Sequence, residues 1–336
     1  MSDTPNLRWG FVGASDIAAT RIIPTVRSLG HRIVSLSSRT LDHAHDFAAR
    51  YDINHVAASV DDLVSRNDID AVYISSTNDR HLDQVLAAAQ AGKHVLCEKP
   101  LAVTVSDAKT MVAACQAAGV VLAVNHHLPA MGTHRRIREL VSNGAVGRPL
   151  SVAVRHTGLL PERLAGWRLG AGPGAGVVLD IATHDASAVN AILGRVALET
   201  SAITVNQGNR LSLTADTSVA VARYEGDVVA HFHDSYSTPF AESLLEVHGT
   251  LGSIRAPRIM NADPIGEVIL IDEKGETTID VADRRSAYEY TLDRFTLAVA
   301  GGGLPVVDGA GGVRALSLAI AISEAALSGR RINVEE

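Results

Sequence analysis

The sequence predicts an α/β protein, with an amino-terminal doubly wound parallel sheet followed by an α+β domain built on a largely antiparallel, open sheet. Three observations predict it. Short apolar, β-rich runs alternate with helix-length segments over the first 125 residues. A glycine turn follows the first of these runs and opens the first helical segment. From about Leu150 the runs lengthen, and apolar residues recur with a period of two.

In the first part Trp9 to Val12, Ile33 to Leu36, Ala71 to Ser75, His94 to Cys97 and Val120 to Val124 read as strands. Helices are expected over Ile17 to Leu29, Leu41 to Tyr51, Val60 to Ser65, Leu82 to Ala91 and Val105 to Ala118. Strands this apolar need cover on both faces, which intervening helices supply. The second part reads as strands at Leu150 to His156, Ser218 to Tyr224, Val228 to Tyr236, Leu244 to His248 and Val268 to Ile271. Glu225-Gly226-Asp227 makes a compact hairpin connection, so antiparallel pairing is expected. Helices are expected at Asp180 to Leu193, Tyr288 to Ala300 and Gly312 to Ser328. A length of 336 residues fits two domains. We expect a dinucleotide-binding domain over 1–125 and a substrate domain over 126–336, whose open sheet face suits a homodimer.

Bulk composition narrows the function classes. A formal charge of −7 gives no support for binding nucleic acid or an anionic membrane. No stretch reaches about 18 consecutive apolar residues, and the first residues lack the basic and apolar regions of an export signal. Two cysteines, Cys97 and Cys115, make no disulfide framework, so the cytoplasm is the expected compartment.

Gly13-Ala14-Ser15-Asp16-Ile17-Ala18 stands where a dinucleotide fingerprint should sit, and marks the first domain as a Rossmann fold. Gly13 permits the tight turn, Ala18 allows close packing of helix on strand, and the helix amino-terminal amides favour a pyrophosphate. Ser15 replaces the second glycine and offers a hydroxyl to a phosphate oxygen. The second strand ends in Ser38-Arg39-Thr40, where an NAD site usually carries an acid. Two hydroxyls and a guanidinium suit the extra phosphate of NADP(H) instead. Ser76, Thr77, Asn78 and His81 follow the third strand and are expected to line the cofactor cleft, Asn78 or Thr77 also being able to cap the helix.

Glu98-Lys99-Pro100 ends the fourth strand at the sheet edge where ligands bind in such folds, and Asn125 ends the fifth. We count Glu98, Lys99 and Asn125 with the cofactor site. Lys99 can also donate to a substrate oxygen, and Pro100 restricts it to extended conformations. Asp180 and His184 are four apart after the glycine-rich run Gly170 to Gly176, so a helix puts them on one face. There the carboxylate can orient the imidazole or take a substrate hydroxyl, and the imidazole can exchange a proton near neutrality. His126 and Thr183 are further substrate candidates. His126, His127, His231 and His233 have no carboxylate or cysteine pattern to complete a zinc site, so no metal is expected.

Gly13 through Ala18, Glu98-Lys99-Pro100 and Asp180 through His184, in this order over nearly the whole chain, resemble the Gfo/Idh/MocA oxidoreductases. Within that family Arg8 to Ser15, Val124 to Leu128, Gly166 to Leu169 and Phe232 to Asp234 are similar to enzymes that reduce a cyclic keto-sugar. The resemblance implies NADPH-dependent reduction of a substrate such as 1,5-anhydro-D-fructose to 1,5-anhydro-D-mannitol, by hydride transfer to a ketone held between the domains. It places Lys99, Asp180 and His184 at catalytic positions and brings Trp167 and Arg168 to the sugar. Lys99 and His184 can exchange the roles of polariser and proton donor. The arrangement of Arg39 and His43 departs from the basic residues the family sets around a ribose phosphate, and Asn261 to Asp280 is less distinctive. Two alternatives stand beside this reading: another sugar or inositol dehydrogenase of the same family, and a nonenzymatic NADP sensor, which would not need Lys99 and His184 together.

Overall fold

Five strands, β1 (Arg8–Val12), β2 (Arg32–Ser37), β3 (Ala71–Ile74), β4 (His94–Cys97) and β5 (Leu122–Val124), form a parallel sheet in the order β2-β1-β3-β4-β5. The structure is a computed structural model that describes residues 5–208 and 212–335. Trp9, Phe11, Val72, Tyr73, Ile74, Leu96 and Cys97 are buried whichever face they point to, as a sheet covered on both sides requires. The chain leaves β1 for β2 on one side and returns to β3 on the other. The order therefore reverses between β1 and β3, where open α/β sheets bind ligands at the carboxyl ends of their strands.

The covering helices are α1 (Ile23–Ser28), α2 (Leu41–Arg50), α3 (Val60–Val64), α4 (His81–Gln90) and α5 (Val105–Ala117). Ser59 caps α3 by accepting from Asp62 N at 3.0 Å, and Thr104 caps α5 by accepting from Asp107 N at 3.1 Å. The expected helix over Ile17 to Leu29 begins instead as a wider π-turn, Ala18–Ile22, and becomes α only at Ile23. Pro24, which has no N–H to give, sits at that junction.

By its internal packing the first unit runs to His126 and then takes back Tyr288–Val313, which the sequence assigned to the second domain. The reason is apolar burial and strand-edge pairing. Phe295 packs on Trp9 with ring centroids 5.2 Å apart, and Val124 N donates to Val307 O at 2.9 Å. Much of the intervening helix, Ala287–Val299, therefore covers the parallel sheet.

The second unit, His127–Ala287 with the chain from Arg314, is a nine-stranded sheet. Its strands are β6 (Pro149–Thr157), β7 (Ala197–Val205), β8 (Thr217–Tyr224), β9 (Val228–Ser235), β10 (Leu244–Gly249), β11 (Gly252–Pro257), β12 (Ile269–Asp272), β13 (Gly275–Thr278) and β14 (Ile332–Asn333), in the order β13-β12-β11-β10-β6-β9-β8-β7-β14. Pairing is antiparallel except between β6 and β9, which run parallel. That pair is joined by a long crossover rather than a hairpin, which removes the antiparallel constraint. The predicted hairpin turn Glu225–Asp227 does link β8 to β9, with Gly226 at φ 69°.

Helices α6 (Gly132–Ser142), α7 (Glu162–Ala165) and α8 (Thr183–Leu193) also belong to this unit. Gly132 opens α6 because a Cβ there would lie 1.8 Å from Asp283 O. The sequence reading did not foresee α6, α7, β7, β11, β13 or β14; β13, Gly-Glu-Thr-Thr, is exposed throughout and carries no apolar alternation to read. After α9 (Ala287–Val299), α10 (Gly309–Ser328) is long and apolar enough to cross a membrane by length and composition. Ala315, Leu318, Ala319 and Ile322 instead bury in the core of the second unit. On the opposite face of the sheet Ile203, Val219, Val221 and Val229 stand exposed.

Candidate active site

The carboxyl edge of the parallel sheet is built around Gly13. Its φ is +103°, and a Cβ would lie 2.7 to 2.8 Å from the backbone of Ser75 and Ser76, so no other residue fits without moving β3. Its N–H donates to Ser37 O at 2.8 Å, which ties the turn to the end of β2. Ser15 does not present its hydroxyl outward as expected. The hydroxyl accepts from Ala18 N at 3.1 Å and donates to Ser75 Oγ at 2.8 Å, so it caps the following turn and pins it to β3. Ala14 and Ile17 are half-exposed and Asp16 is exposed. Ser38 is half-exposed and Arg39 and Thr40 are exposed, leaving the Arg39 guanidinium accessible where a ribose phosphate was expected. His43 Nε2, from α2, lies 3.3 Å from Ala14 O.

The Ser76 hydroxyl donates to Gln84 Oε1 at 2.6 Å, while Thr77 is exposed. Neither Thr77 nor Asn78 caps the following helix through its side chain, contrary to one expectation. Asn78 is instead buried with its Nδ2 donors unpaired among the described residues. Asn125 donates through Nδ2 to Glu98 Oε1 at 2.6 Å, and its buried Oδ1 has no donor among them either. A buried amide group left unpaired costs about 1–3 kcal/mol unless a ligand satisfies it. A dinucleotide rich in hydroxyls and phosphates fits these two groups, the Gly13 turn and the open helix start.

Glu98 accepts from Tyr73 Oη and from Asn125 Nδ2, both at 2.6 Å. Burial raises its carboxyl above the usual range, while those two donors pull it back. Lys99 and Pro100 are joined by a cis peptide bond. His81 is fully buried, with Nδ1 3.1 and 3.2 Å from the carbonyls of Pro100 and Leu101. It therefore holds the loop that carries Lys99 and offers no edge to a cofactor, which corrects its expected role. His126 is buried as well; burial and the neighbouring Lys99 push its imidazole down to about 3, so it is neutral at working pH.

In the second unit a π-turn, Val178–Ala182, leads directly into α8. Asp180 is buried, and its Oδ2 accepts from Arg168 Nε at 2.8 Å and from Tyr236 Oη at 2.7 Å. The Arg168 guanidinium also lies 4.7 Å from the Trp167 ring centroid, and Trp167 itself is 40% exposed. Arg168 thus spends its Nε donor on Asp180 and lies against an open indole face. Thr183 is wholly buried and donates to Leu179 O at 2.9 Å, so its hydroxyl turns into the helix and not toward a substrate. His184 is buried and meets His127 edge-on, ring centroids 4.5 Å apart.

Tyr73, His127 and Tyr236 were not foreseen as parts of these groupings. Strand periodicity could have placed Tyr236 on the Asp234 face of β9, but no local signal points to Asp180. His127 had only its position after β5 to suggest it. Among the described residues no group of three or more His, Cys, Asp or Glu side chains is placed so as to hold a metal ion.

Residues 7–126 match the family described as an oxidoreductase family with an NAD-binding Rossmann fold, and residues 134–255 match the GFO/IDH/MocA C-terminal domain. The chain is 40% identical to 1,5-anhydro-D-fructose reductase of Ensifer adhaerens, over 98% of each chain. It is 28% identical to a D-xylose 1-dehydrogenase (NADP(+)) of Haloferax volcanii, over 98% of this chain and 100% of that one. Among solved structures it resembles aldose-aldose oxidoreductase from Caulobacter crescentus complexed with glycerol, with a TM-score of 0.87 and 25% identity, over 98% of this chain and 100% of that one.

Proposed function

The chain belongs to the Gfo/Idh/MocA oxidoreductase family as an NAD(P)-dependent sugar oxidoreductase, and from that premise we propose that it reduces a cyclic keto-sugar of the 1,5-anhydro-D-fructose type with NADPH. The observation that carries the reading is the 40% identity over 98% of the chain to a reductase of that sugar, joined to the pairing of Arg168 and Tyr236 on Asp180. NADPH is favoured over NADH by the acid-free end of β2 and the exposed Arg39. The backbone of the Gly13 to Ile17 turn, with Ser76 to Asn78, Glu98 and Asn125, would hold the dinucleotide, and Ser38 to Thr40 its ribose phosphate. When bound, the reduced nicotinamide supplies the hydride that converts the ketone carbon to an alcohol carbon.

The chain's own residues do the rest. His184 gives a proton to the alkoxide oxygen as it forms, an acid contribution of roughly 10² to 10⁴ in rate. Lys99 donates a hydrogen bond to the same oxygen and stabilises its charge. Asp180, held by Arg168 and Tyr236, accepts from a hydroxyl beside the carbonyl, and the open face of Trp167 covers one side of the ring. The buried free thiols of Cys97 and Cys115 suit a reducing compartment such as the cytoplasm. The apolar outer face of β7, β8 and β9 supports pairing with a second copy; sedimentation of the wild type as a dimer and of Val221→Lys as a monomer would bear this out, and a monomeric wild type would refute it.

The test compares catalytic efficiencies of the purified protein. Reduction of 1,5-anhydro-D-fructose by NADPH should exceed oxidation of D-xylose, D-glucose or myo-inositol with NAD or NADP by at least about 10², because a pocket made for one polyol leaves polar groups unpaired with another. Efficient oxidation of D-xylose by a protein inert to the keto-sugar would replace this reading with the dehydrogenase one, which the similarity to the Haloferax enzyme supports.

A further inference from the structure

The buried Asp185 and Asp234 and the half-buried His156 make a cluster beneath α8 that the proposed reduction does not itself employ. Asp234 on β9 is in register with His156 on β6 and with Ser218 on β8, so three polar side chains form one row on the covered face of the sheet. From above, α8 supplies Asp185, the residue after His184. His156 Nδ1 is 2.7 Å from Asp185 Oδ1, and the Asp234 carboxyl lies within hydrogen-bonding reach of Asp185. Asp185 is 0% and Asp234 1% exposed. Neither oxygen of Asp234 receives an N–H or O–H from any described residue. An ionised Asp234 would be an unsolvated charge next to a second carboxyl, whereas a protonated one becomes a donor to it.

The geometry points to one proton shared by Asp234 and Asp185, with His156 on Asp185 Oδ1, as the device that fixes the first turn of α8 and so sets His184. His156 and Asp234 are then positioning residues for the imidazole that gives up its proton. Other groups facing the cluster are consistent with this. Tyr224 of β8 faces Asp185, and its phenol is raised by burial and by that carboxyl. His134 of α6 faces His156 and is pushed down to about 3 by burial and by that imidazole, so it adds no charge. Tyr236, just past the end of β9, is committed to Asp180. Burial and Asp185 hold the Asp234 carboxyl well above its ordinary range, with His156 opposing.

The kinetic arm of the test rests on the proposed role of His184, while the proton arm needs no activity at all. Asp234→Asn replaces the shared proton with an amide N–H and should keep kcat within about twofold, whereas Asp234→Val should lower kcat about tenfold or more with KM for NADPH unchanged. In urea unfolding of the wild type and Asp234→Asn, the folded wild type keeps a proton that the unfolded chain releases above about pH 4. Its folding constant should therefore fall, relative to the Asn variant, by up to about tenfold per pH unit until the raised value is reached. A difference that stays flat with pH, or an Asn variant as slow as the Val variant, overturns the shared proton. A Val variant with wild-type kcat overturns the positioning role. If no keto-sugar is reduced, the functional reading fails and the unfolding comparison still decides the proton, whether or not the Val variant folds.

Discussion

The end of β4 and the start of α8 each bury a carboxylate beside a residue proposed to act on the substrate, and they stabilise it by opposite means. Glu98 is held by two neutral donors, Tyr73 and Asn125, and burial leaves it with a raised proton affinity. Asp180 is held by the Arg168 guanidinium as well as by Tyr236, so its charge has a partner of opposite sign. The difference fits the two tasks. Glu98 has only neutral groups bonded to it, with the Lys99 charge acting on it without a side-chain bond. Asp180, proposed to accept a sugar hydroxyl, has a cation bonded directly to it.

The largest effects should come from the groups beside those carboxylates. Lys99→Ala and His184→Ala should each lower turnover by at least about 10², with little change in NADPH affinity. Near-normal turnover at saturating substrate in either variant would remove that residue from the chemistry. Next, Arg168→Ala should destabilise the fold by about 3 kcal/mol, since it leaves Asp180 buried and unpaired by charge, whereas Asn125→Ala should cost about 1–2 kcal/mol because Glu98 loses only a neutral donor. Urea unfolding of the two variants measures the contrast, and equal losses would erase the distinction between the two carboxylates.

How far the sequence could be read follows the same division. Gly13, Glu98, Lys99 and the alternation of short apolar runs with helices are local patterns, and the first unit's sheet follows them closely. Hydrogen bonds within the fold decided the misreadings. Ser15, His81 and Thr183 were expected to face ligands, but each finds a partner within the fold: Ser75, the Pro100 and Leu101 carbonyls, and Leu179. A hydroxyl or imidazole in sequence does not announce which way it will turn. Tyr236 lies 56 residues from Asp180, a separation closed by the π-turn packing on the sheet, and Tyr73 lies 25 from Glu98, closed by the pairing of β3 with β4. The return of Tyr288–Val313 to the first unit was equally illegible, because Phe295 finds Trp9 only once the sheet exists.

A smaller effect sharpens the cofactor half. Arg39→Asp should weaken use of NADPH relative to NADH by about 1.5–3 kcal/mol, the loss of one charge-assisted contact to phosphate, read from the ratio of catalytic efficiencies. An unchanged ratio would assign the preference to other residues. Smaller again, per pH unit, is the acid response of stability. His126 in the first unit and His134 in the second both sit at about 3, below an unfolded value near 6.5. The unfolded chain therefore takes up protons first as pH falls, and each histidine should remove about 1.4 kcal/mol of stability per pH unit between about 6.5 and 3. Replacing either by an apolar residue that folds should reduce that slope, and an unaltered slope would place the proton uptake elsewhere.

The central claim is that His184 supplies the proton during reduction, and the most direct measurement is the pH dependence of kcat for 1,5-anhydro-D-fructose with saturating NADPH in the wild type, His126→Asn and His184→Asn. His126 is neutral throughout the range between about pH 5 and 9, so its variant should keep the wild-type profile shape. The wild type should lose rate on the alkaline side as the donor imidazole empties, and His184→Asn should be slow and flat across the range. An alkaline limb that survives in His184→Asn, or vanishes in His126→Asn, would contradict the assignment.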